Sequence, residues 1–252
     1  MFGYINSWMN EQSTLLHFLN LPLYRTDEVF EMFDQDGAVF QSHPADPKQR
    51  FLFIEGKRND KVVLVAHADT VWDEAYTGKK TNQQVNLKNG IFTGTNKSVG
   101  IGADDRAGCA MLYLLKNSGH SILITDGEEY GRGGSTYLMN HHPDIASKLN
   151  AHKFMIQLDR RNAHDFKCYT VGSNAFRKYI QQQTGYTEPD QSSYTDIVTL
   201  CKDICGVNFS VGYYYEHFSK EHLVLKEWMH TYNMVKELIG QAEIQRFPLT
   251  TY

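Results

Sequence analysis

The stretch KVVLVAHAD, residues 61–69, decides the fold class of this chain. Its apolar run, rich in valine, predicts a buried strand, and His67 and Asp69 follow directly. Apolar runs in SILITDGEE (121–129), KFMIQLD (153–159) and VNFSVGYYYEH (207–217) also end in acids or histidine. In open α/β sheets the ligand site lies outside the carboxyl ends of such strands. The pattern therefore predicts an α/β protein with a site built from strand ends.

The wider pattern indicates one α/β domain over residues 1–252. Apolar runs alternate with amphipathic segments in the second half. This alternation predicts a mixed, mostly parallel sheet with helices on both faces. Too few residues separate Asp159 from His217 for an inserted lid or dimerisation domain of usual size.

Local patterns predict the individual elements. The dipeptide Asn89-Gly90 favours a tight turn, so residues 85–87 and 91–93 are predicted to form a hairpin. Amphipathic spacing predicts the helices, and short apolar runs predict the strands. The further predictions are helices at residues 1–20, 105–116 and 221–242, and outer strands at 29–33 and 38–41.

Composition and charge argue against several classes of function. Hydrophobic residues make up 41% of the chain, which is ample for a packed core. The formal net charge of -4 gives no basic surface for nucleic acid. No apolar run approaches the length of a membrane span, and the N-terminus lacks the pattern of a signal peptide. The four cysteines are irregularly spaced, so we expect reduced thiols and a cytoplasmic protein.

The acids and histidines match the needs of a two-metal hydrolase. Amide hydrolysis needs an electrophile, an activated water and a proton carrier, and two divalent ions about 3.5–4 Å apart supply the first two. We expect histidine and carboxylate ligands for each metal, one shared carboxylate, and one free carboxylate as base. His67 and Asp69 lie two residues apart, so in extended backbone they face the same side. The other candidates are Asp104, Asp105, Glu128, Glu129, Asp159 and His217.

The ordered motifs resemble those of the zinc-dependent aminopeptidase-like superfamily. This group of two-metal exopeptidases includes peptidase T and the single-domain leucyl aminopeptidases. The matching pieces are HADT (67–70), GADDRAG (102–108), DGEE (126–129), LD (158–159) and VGYYYEH (211–217). Each piece alone is weak, whereas the ordered set is specific.

The resemblance implies a set of metal ligands. His67 and Asp159 would hold one zinc ion, and Glu129 and His217 would hold the other. Asp104 would bridge the two ions. The expected cofactor is therefore two Zn²⁺ per chain, with Co²⁺ or Mn²⁺ able to substitute.

The resemblance also implies roles around these ligands. Glu128 would be the general base, Asp69 would orient His67, and the Asp104–Asp105 peptide bond would be cis. His222 is the alternative to His217 as the last ligand. We favour His217 because it directly follows the strand, whereas His222 is predicted to lie in the first turn of the last helix.

Substrate recognition is expected from local loops, because this chain lacks the lid that peptidase T inserts. Arg160 or Arg161 could pair with a substrate carboxylate, with solvation as the alternative. For the aromatic candidates, packing in the core or at the rim is the alternative. The loop candidates are Trp72, Tyr130, residues 192–196 and residues 213–215.

These observations predict a metallopeptidase, most specifically an aminopeptidase acting on short peptides. The resemblance favours this activity because the fourth ligand is Asp159, and aspartate there is more frequent than glutamate among the aminopeptidases. One alternative is a deacylase of N-acyl amino compounds with the same metal centre. A non-catalytic peptide-binding homologue is another, although the presence of Glu128 argues against it. A third alternative is a single-metal protein that shares only part of this set of ligands.

Overall fold

The computed structural model describes residues 2–190 and 194–249. Its helices are α1 (Phe2–Leu19), α2 (Asp27–Met32), α3 (Glu74–Thr77), α4 (Ala103–Leu115), α5 (Gly133–His141), α6 (Pro143–Asn150), α7 (Asn174–Thr184), α8 (Asp196–Leu200) and α9 (Leu225–Ile239). Its strands are β1 (Ala38–His43), β2 (Asp46–Ile54), β3 (Val63–His67), β4 (Val85–Lys88), β5 (Ile91–Gly94), β6 (Ser121–Thr125), β7 (Met155–Arg160), β8 (Phe166–Lys167), β9 (Gly206–Ser210), β10 (Tyr213–Tyr214) and β11 (His222–Val224).

The central sheet has seven strands in the order β1-β2-β6-β3-β7-β9-β8. Its middle strands β6, β3, β7 and β9 run parallel to one another. The outer pairs β1–β2, β2–β6 and β9–β8 are antiparallel. Parallel neighbours need crossover connections, which the intervening helices supply. The predicted mixed α/β fold is confirmed.

Both faces of the central sheet are apolar, which explains why the strands read as continuous apolar runs. Successive side chains of a strand point to opposite faces. Leu64 and Ala66 of β3 therefore pack in one core with α1, α4, α7 and α9, whereas Val63 and Val65 pack in a second core with α5, α6 and α8. All four cysteines are buried and free.

A second, four-stranded sheet has the order β10-β11-β5-β4. Strands β4 and β5 form the predicted hairpin, with Lys88 opposite Ile91. Asn89 and Gly90 between them both have positive φ, 52° and 78°, as a type I′ turn requires. Strand β11 pairs with β5 on one side and β10 on the other, which ties the end of the chain to this early hairpin.

Two predictions of secondary structure are wrong. Residues 29–33, predicted as a strand, lie mostly in helix α2, where Val29, Phe30 and Phe33 form a buried helical face. A short apolar run cannot distinguish helix from strand by periodicity alone. The last helix begins at Leu225 rather than at residue 221, because His222–Val224 pairs between two strands as β11.

The sheet determines where the candidate site residues lie. His67 ends β3, Glu128 and Glu129 follow β6, and Asp159 lies near the end of β7. These strands are neighbours in the parallel part of the sheet, so their carboxyl ends meet at one edge. Among the helices of the described residues, none combines the length and apolar character that a membrane crossing needs.

Candidate metal centre

The five ligands predicted from the sequence lie together at the carboxyl edge of the central sheet. The His67 Nε2 atom is 3.1 Å from Asp104 Oδ1 and 3.3 Å from Asp159 Oδ1. The His217 Nε2 atom is 3.2 Å from Asp104 Oδ2 and 3.0 Å from Glu129 Oε2. The two oxygens of Asp104 therefore face different histidines, which is the arrangement that a bridging carboxylate needs.

The donor set fits divalent cations. The described residues contain two clusters whose ligand atoms lie within 4.8 Å of one another: His67, Asp104 and Glu129, and His67, Asp105 and Asp159. Glu129 Oε1 is buried and has no hydrogen-bond partner among the described residues. A buried, unpaired carboxylate oxygen is costly unless a cation meets it. Histidine nitrogen and carboxylate oxygen are ligands that zinc accepts.

The pKa values show how much negative charge is concentrated here. Burial, with the nearby Asp104 charge, raises the pKa of Glu129 to about 7. Burial likewise raises the pKa of Asp159 to about 6. Hydrogen bonds to Asp104 and Glu129 raise the pKa of His217 to about 11. Burial and mutual repulsion therefore oppose the ionisation of Glu129 and Asp159, and bound metal ions would favour it.

Asp104 and Asp105 have different surroundings although they are adjacent. Both Asp105 oxygens accept backbone hydrogen bonds, from the N–H of His67 (3.2 Å) and of Gly108 (3.0 Å). Asp105 thereby holds the end of β3 against α4, whereas the Asp104 carboxylate faces the two histidines. The peptide bond between Asp104 and Asp105 is cis, as the resemblance implied.

Asp69 contacts both His67 and the Glu128-Glu129 pair. Its Oδ1 atom is 3.3 Å from Nδ1 of His67. Its carboxylate also accepts hydrogen bonds from the backbone N–H groups of Glu128 and Glu129, each at 3.2 Å, and from the Tyr76 hydroxyl at 2.8 Å. Asp69 therefore makes several contacts, and the contact that would orient His67 is one of them. The sequence carried no signal for Tyr76, which reaches Asp69 from α3.

The Glu128-Glu129 pair lies on an irregular turn. Gly127 precedes it with a φ of 77°, and a Cβ atom at Gly127 would lie 2.5 Å from the Lys48 carbonyl oxygen. The turn directs Glu129 toward His217, while among the described residues no group hydrogen-bonds the Glu128 carboxylate. Burial raises the pKa of Glu128 well above its usual range.

Asp159 is held by side chains to which the sequence patterns gave no such role. Its Oδ2 atom accepts hydrogen bonds from Gln157 Nε2 and Thr195 Oγ1, both at 2.9 Å. Its Oδ1 atom lies 3.4 Å from the hydroxyl of Tyr213. The Asn208 amide binds the backbone N–H and C=O of Asp159, at 2.9 and 3.1 Å. Gln157 and Asn208, polar residues inside apolar runs, were the only available signal.

The two candidate histidines for the last ligand position have clearly different surroundings. His217 directs its Nε2 atom at Asp104 and Glu129, from a turn after β10 where its φ is 64°. His222 lies in β11, stacks on Tyr214 with ring centroids 5.4 Å apart, and has its Nδ1 atom 3.2 Å from the carbonyl oxygen of Lys220. The prediction that His222 lies in a helix is wrong. The structure nevertheless brings His217, rather than His222, to the cluster.

A cavity of about 500 Å³ opens over the cluster. Of the predicted recognition residues, Tyr194, Thr195, Tyr213, Arg160 and Arg161 line it.

Other predicted recognition residues do not line this cavity. Trp72, Tyr130, Tyr214 and Tyr215 are not part of its lining, and Ser192 and Ser193 lie outside the described residues. Asp196 is fully buried and binds the Thr125 and Ser135 hydroxyls.

Both arginines of the lining have acidic partners. Arg160 Nε donates to Asp165 at 2.8 Å, and Arg161 donates to Glu216 at 2.6 Å. Glu216 and Asp190 also line the cavity, together with the acids of the cluster. Six of the fourteen lining residues are therefore acidic, and the charges of the two arginines are partly neutralised.

Glu221 is a further residue that the sequence patterns did not single out. It is buried and accepts hydrogen bonds from the backbone of the loop that carries Asp104. Burial raises its pKa to about 8. Its position four residues after His217 would have been the only signal.

Solved structures show the same fold. A tripeptidase from Staphylococcus aureus is similar with a TM-score of 0.68 and 16% identity, over 92% of this chain and 98% of that chain. The aminopeptidase PepT from Bacillus cereus has a TM-score of 0.65 and 12% identity, over 92% and 98%. The TET1 peptidase of Pyrococcus horikoshii has a TM-score of 0.60 and 13% identity, over 91% and 99%. At these identities the similarity shows the fold alone.

The sequence itself matches one family. No curated protein shows significant sequence similarity to the chain. The model of peptidase family M28 matches residues 52–218, a range that includes each residue of the metal cluster. The chain therefore belongs to peptidase family M28 and is a metallopeptidase.

Proposed function

We propose that the protein is a two-zinc aminopeptidase that acts on short peptides, with residues 1–252 forming one catalytic domain. The observation that carries this proposal is the position of Asp104 between two histidines, with its Oδ1 atom 3.1 Å from His67 and its Oδ2 atom 3.2 Å from His217. His67 and Asp159 would hold one ion, and Glu129 and His217 the other. Bound there, the ions would polarise the scissile carbonyl and make a water molecule acidic.

Glu128 is the proposed general base. Its carboxylate lines the cavity next to the cluster and has no hydrogen-bond partner among the described residues, so it is free to exchange a proton. Glu128 would take a proton from the water and pass it to the leaving amine. Burial raises the pKa of Glu128, which helps it to hold the proton after the first step, while two bound cations nearby would oppose this shift and favour the ionised form that the first step needs.

The charge of the cavity favours a substrate with a free amino group. Two bound divalent ions would balance the charges of the cluster carboxylates, and Glu216 is paired with Arg161, so the attraction of a cationic α-ammonium group would rest mainly on Asp190 of the lining. An N-acylated compound carries no such charge. The structural neighbours described as an aminopeptidase and a tripeptidase support the same choice.

The test compares free and blocked substrates. Zinc-reconstituted protein is assayed on amino-acid amides and dipeptides, and on the same compounds after N-acetylation. We expect kcat/KM for the free amines to be higher by about 10²-fold or more, because acetylation removes a charge for which the site is built. A preference for the acetylated compounds would identify a deacylase instead. Bound zinc without hydrolysis of either set would identify a binding protein.

A further inference from the structure

Glu221 is a buried carboxylate to which the proposed chemistry gives no role. Its side chain is 3% exposed. Its Oε2 atom accepts hydrogen bonds from the N–H groups of Ile101 and Gly102, both at 2.8 Å, and its Oε1 atom accepts one from the N–H of Asp104 at 3.1 Å. One carboxylate therefore satisfies three backbone donors of the loop that presents Asp104.

The loop is shaped around this carboxylate. Successive backbone N–H groups that converge in this way form a concavity that binds hydrogen-bond acceptors, and here the acceptor is the carboxyl group of a side chain of the same chain. Gly102 donates its N–H to Glu221 and has a φ of 64°, a conformation that glycine adopts without steric cost. Gly100 allows the close approach, since a Cβ atom there would lie 2.3 Å from Glu221 Oε2.

The segment from His217 to Glu221 contacts Asp104 at two points. His217 contacts the Asp104 carboxylate at 3.2 Å, and Glu221 contacts the Asp104 backbone. Between them the chain turns back on itself, with the Glu221 N–H donating to the carbonyl of Phe218 at 3.0 Å. Strand β11 follows at once and joins this segment to β5 and β10.

His217 itself is poorly held. Its side chain is 47% exposed, and it lies on a turn outside any strand. Packing against neighbours therefore contributes little to its distance from Asp104. Besides the direct contacts of its imidazole with Asp104 and Glu129, the hydrogen bonds of Glu221 link the backbone segments that carry the two ligands.

We infer that Glu221 is a positioning residue that sets the relation between Asp104 and His217, and with it the metal affinity of the centre. This inference rests on the proposed two-metal function. Partners of metal ligands typically contribute about 10–100-fold to metal affinity. A comparable contribution is expected from Glu221, although it touches neither metal nor substrate.

The experiment measures zinc affinity in variants of the full chain. Glu221→Gln retains one acceptor oxygen, and Glu221→Ala retains none. Glu227→Gln is the matched control, because Glu227, in α9, accepts a hydrogen bond from the Tyr214 hydroxyl of β10 at 2.8 Å but, among the described residues, accepts none from the Asp104 loop. Competition with a chromophoric chelator gives the affinities, and thermal unfolding of the metal-free proteins gives their stability.

We expect wild type and Glu227→Gln each to bind two zinc ions, and we expect the zinc affinities of the variant to equal those of wild type. Glu221→Gln should bind at least one ion about 10-fold more weakly and Glu221→Ala about 100-fold more weakly, with kcat reduced more than KM is raised. Gly100→Ala should give the same defect with Glu221 intact, because the added methyl group displaces the carboxylate. If Glu221→Ala does not fold, Glu221→Gln and Gly100→Ala decide the question.

Two results would argue against different parts of this reasoning. Variants that unfold at lower temperature but bind two zinc ions with wild-type affinity would show that Glu221 only stabilises the fold, and would overturn the inference. A wild-type protein that does not bind two ions would overturn the proposed function itself.

Discussion

At the scale of single residues, the metal centre gives neighbouring carboxylates different tasks through different hydrogen bonds. Asp105 accepts backbone N–H groups with both oxygens, whereas the Asp104 oxygens face the two histidines. Glu129 contacts His217, whereas Glu128 has no such contact. These contacts distinguish a carboxylate that supports the backbone from the proposed ligands and the proposed base.

The Glu128-Glu129 pair allows a direct test of that separation. Glu128→Gln preserves size but removes the basic group, so both zinc ions should remain bound while kcat falls by about 10²–10⁴-fold. Glu129→Gln should lose zinc affinity together with activity, because a neutral amide is a weaker ligand. Zinc analysis and steady-state kinetics on the same samples check both. Near-normal turnover in Glu128→Gln would show that another group is the base.

The last ligand can be tested with two histidines of the same segment. His217→Ala should weaken zinc binding and abolish most activity, because the imidazole that faces Asp104 and Glu129 is lost. His222→Ala should leave zinc content near two per chain, since His222 stacks on Tyr214 instead. Metal content measured after dialysis compares them. The reverse pattern would move the ligand to β11.

At the scale of elements, side chains that connect neighbouring segments keep the strand ends in place. His152, in the turn between α6 and β7, is an example behind the site. It is 4% exposed; its Nδ1 atom is 2.7 Å from the Lys148 carbonyl oxygen, and its Nε2 atom is 2.7 Å from Ser121 Oγ on β6. A neutral imidazole satisfies both contacts, donating to the carbonyl and accepting from the hydroxyl.

This histidine predicts a pH dependence of stability. Burial lowers the pKa of His152 from 6.5 to about 4. Between these values the unfolded chain binds a proton that the folded chain excludes. The contribution of the neutral His152 imidazole to the free energy of unfolding is therefore complete above pH 6.5 and is lost as the pH falls toward 4. The full effect corresponds to about 3 kcal/mol.

Urea unfolding of metal-free protein checks this dependence, because the metal centre then contributes equally to both samples. Between pH 7.5 and 4.5 wild type should lose about 2–3 kcal/mol more of its free energy of unfolding than His152→Gln, which has no imidazole to titrate. Parallel profiles for the two proteins would show that His152 does not sense the pH.

At the scale of the whole molecule, the metal centre joins segments that are distant in the chain. Residues at the ends of β3 and β7, after β6 and β10, and at the start of α4 meet at the edge of the central sheet. In the unfolded chain these ligands are far apart, so metal ions should bind the folded state almost exclusively. Metal binding and global stability are therefore coupled.

Metal removal should accordingly destabilise the whole protein. Zinc at roughly 1,000 times its Kd stabilises a folded protein by about 4 kcal/mol, so chelation should lower the melting temperature by several degrees. Asp104→Ala should bind neither ion tightly if, as proposed, the two ions share this carboxylate. Calorimetry and zinc analysis measure these effects, with Asp36→Ala in an exposed turn as control. Loss of only one ion in Asp104→Ala would contradict the bridging role.

The sequence by itself determined those features that depend on neighbouring residues. The valine-rich run before His67 was enough to predict β3, because a strand buried on both faces must be apolar throughout. Asn89-Gly90 was enough to predict the hairpin, because few other residues adopt two positive φ values in succession. The identity and order of the candidate ligands could also be predicted from the sequence, since packing alone seldom places histidines and acids directly after several apolar runs.

Only the tertiary structure decided features that depend on distant partners. Residues 222–224 form a strand because β5, far earlier in the chain, offers an edge to pair with, and nothing local reveals that edge. The contacts of Asp69 with Glu128 and Glu129, and of Glu221 with Asp104, likewise join separate segments. Local patterns record the backbone preferences and burial of a segment, whereas the hydrogen-bond partner of a buried carboxylate depends on which other segment the fold brings to it.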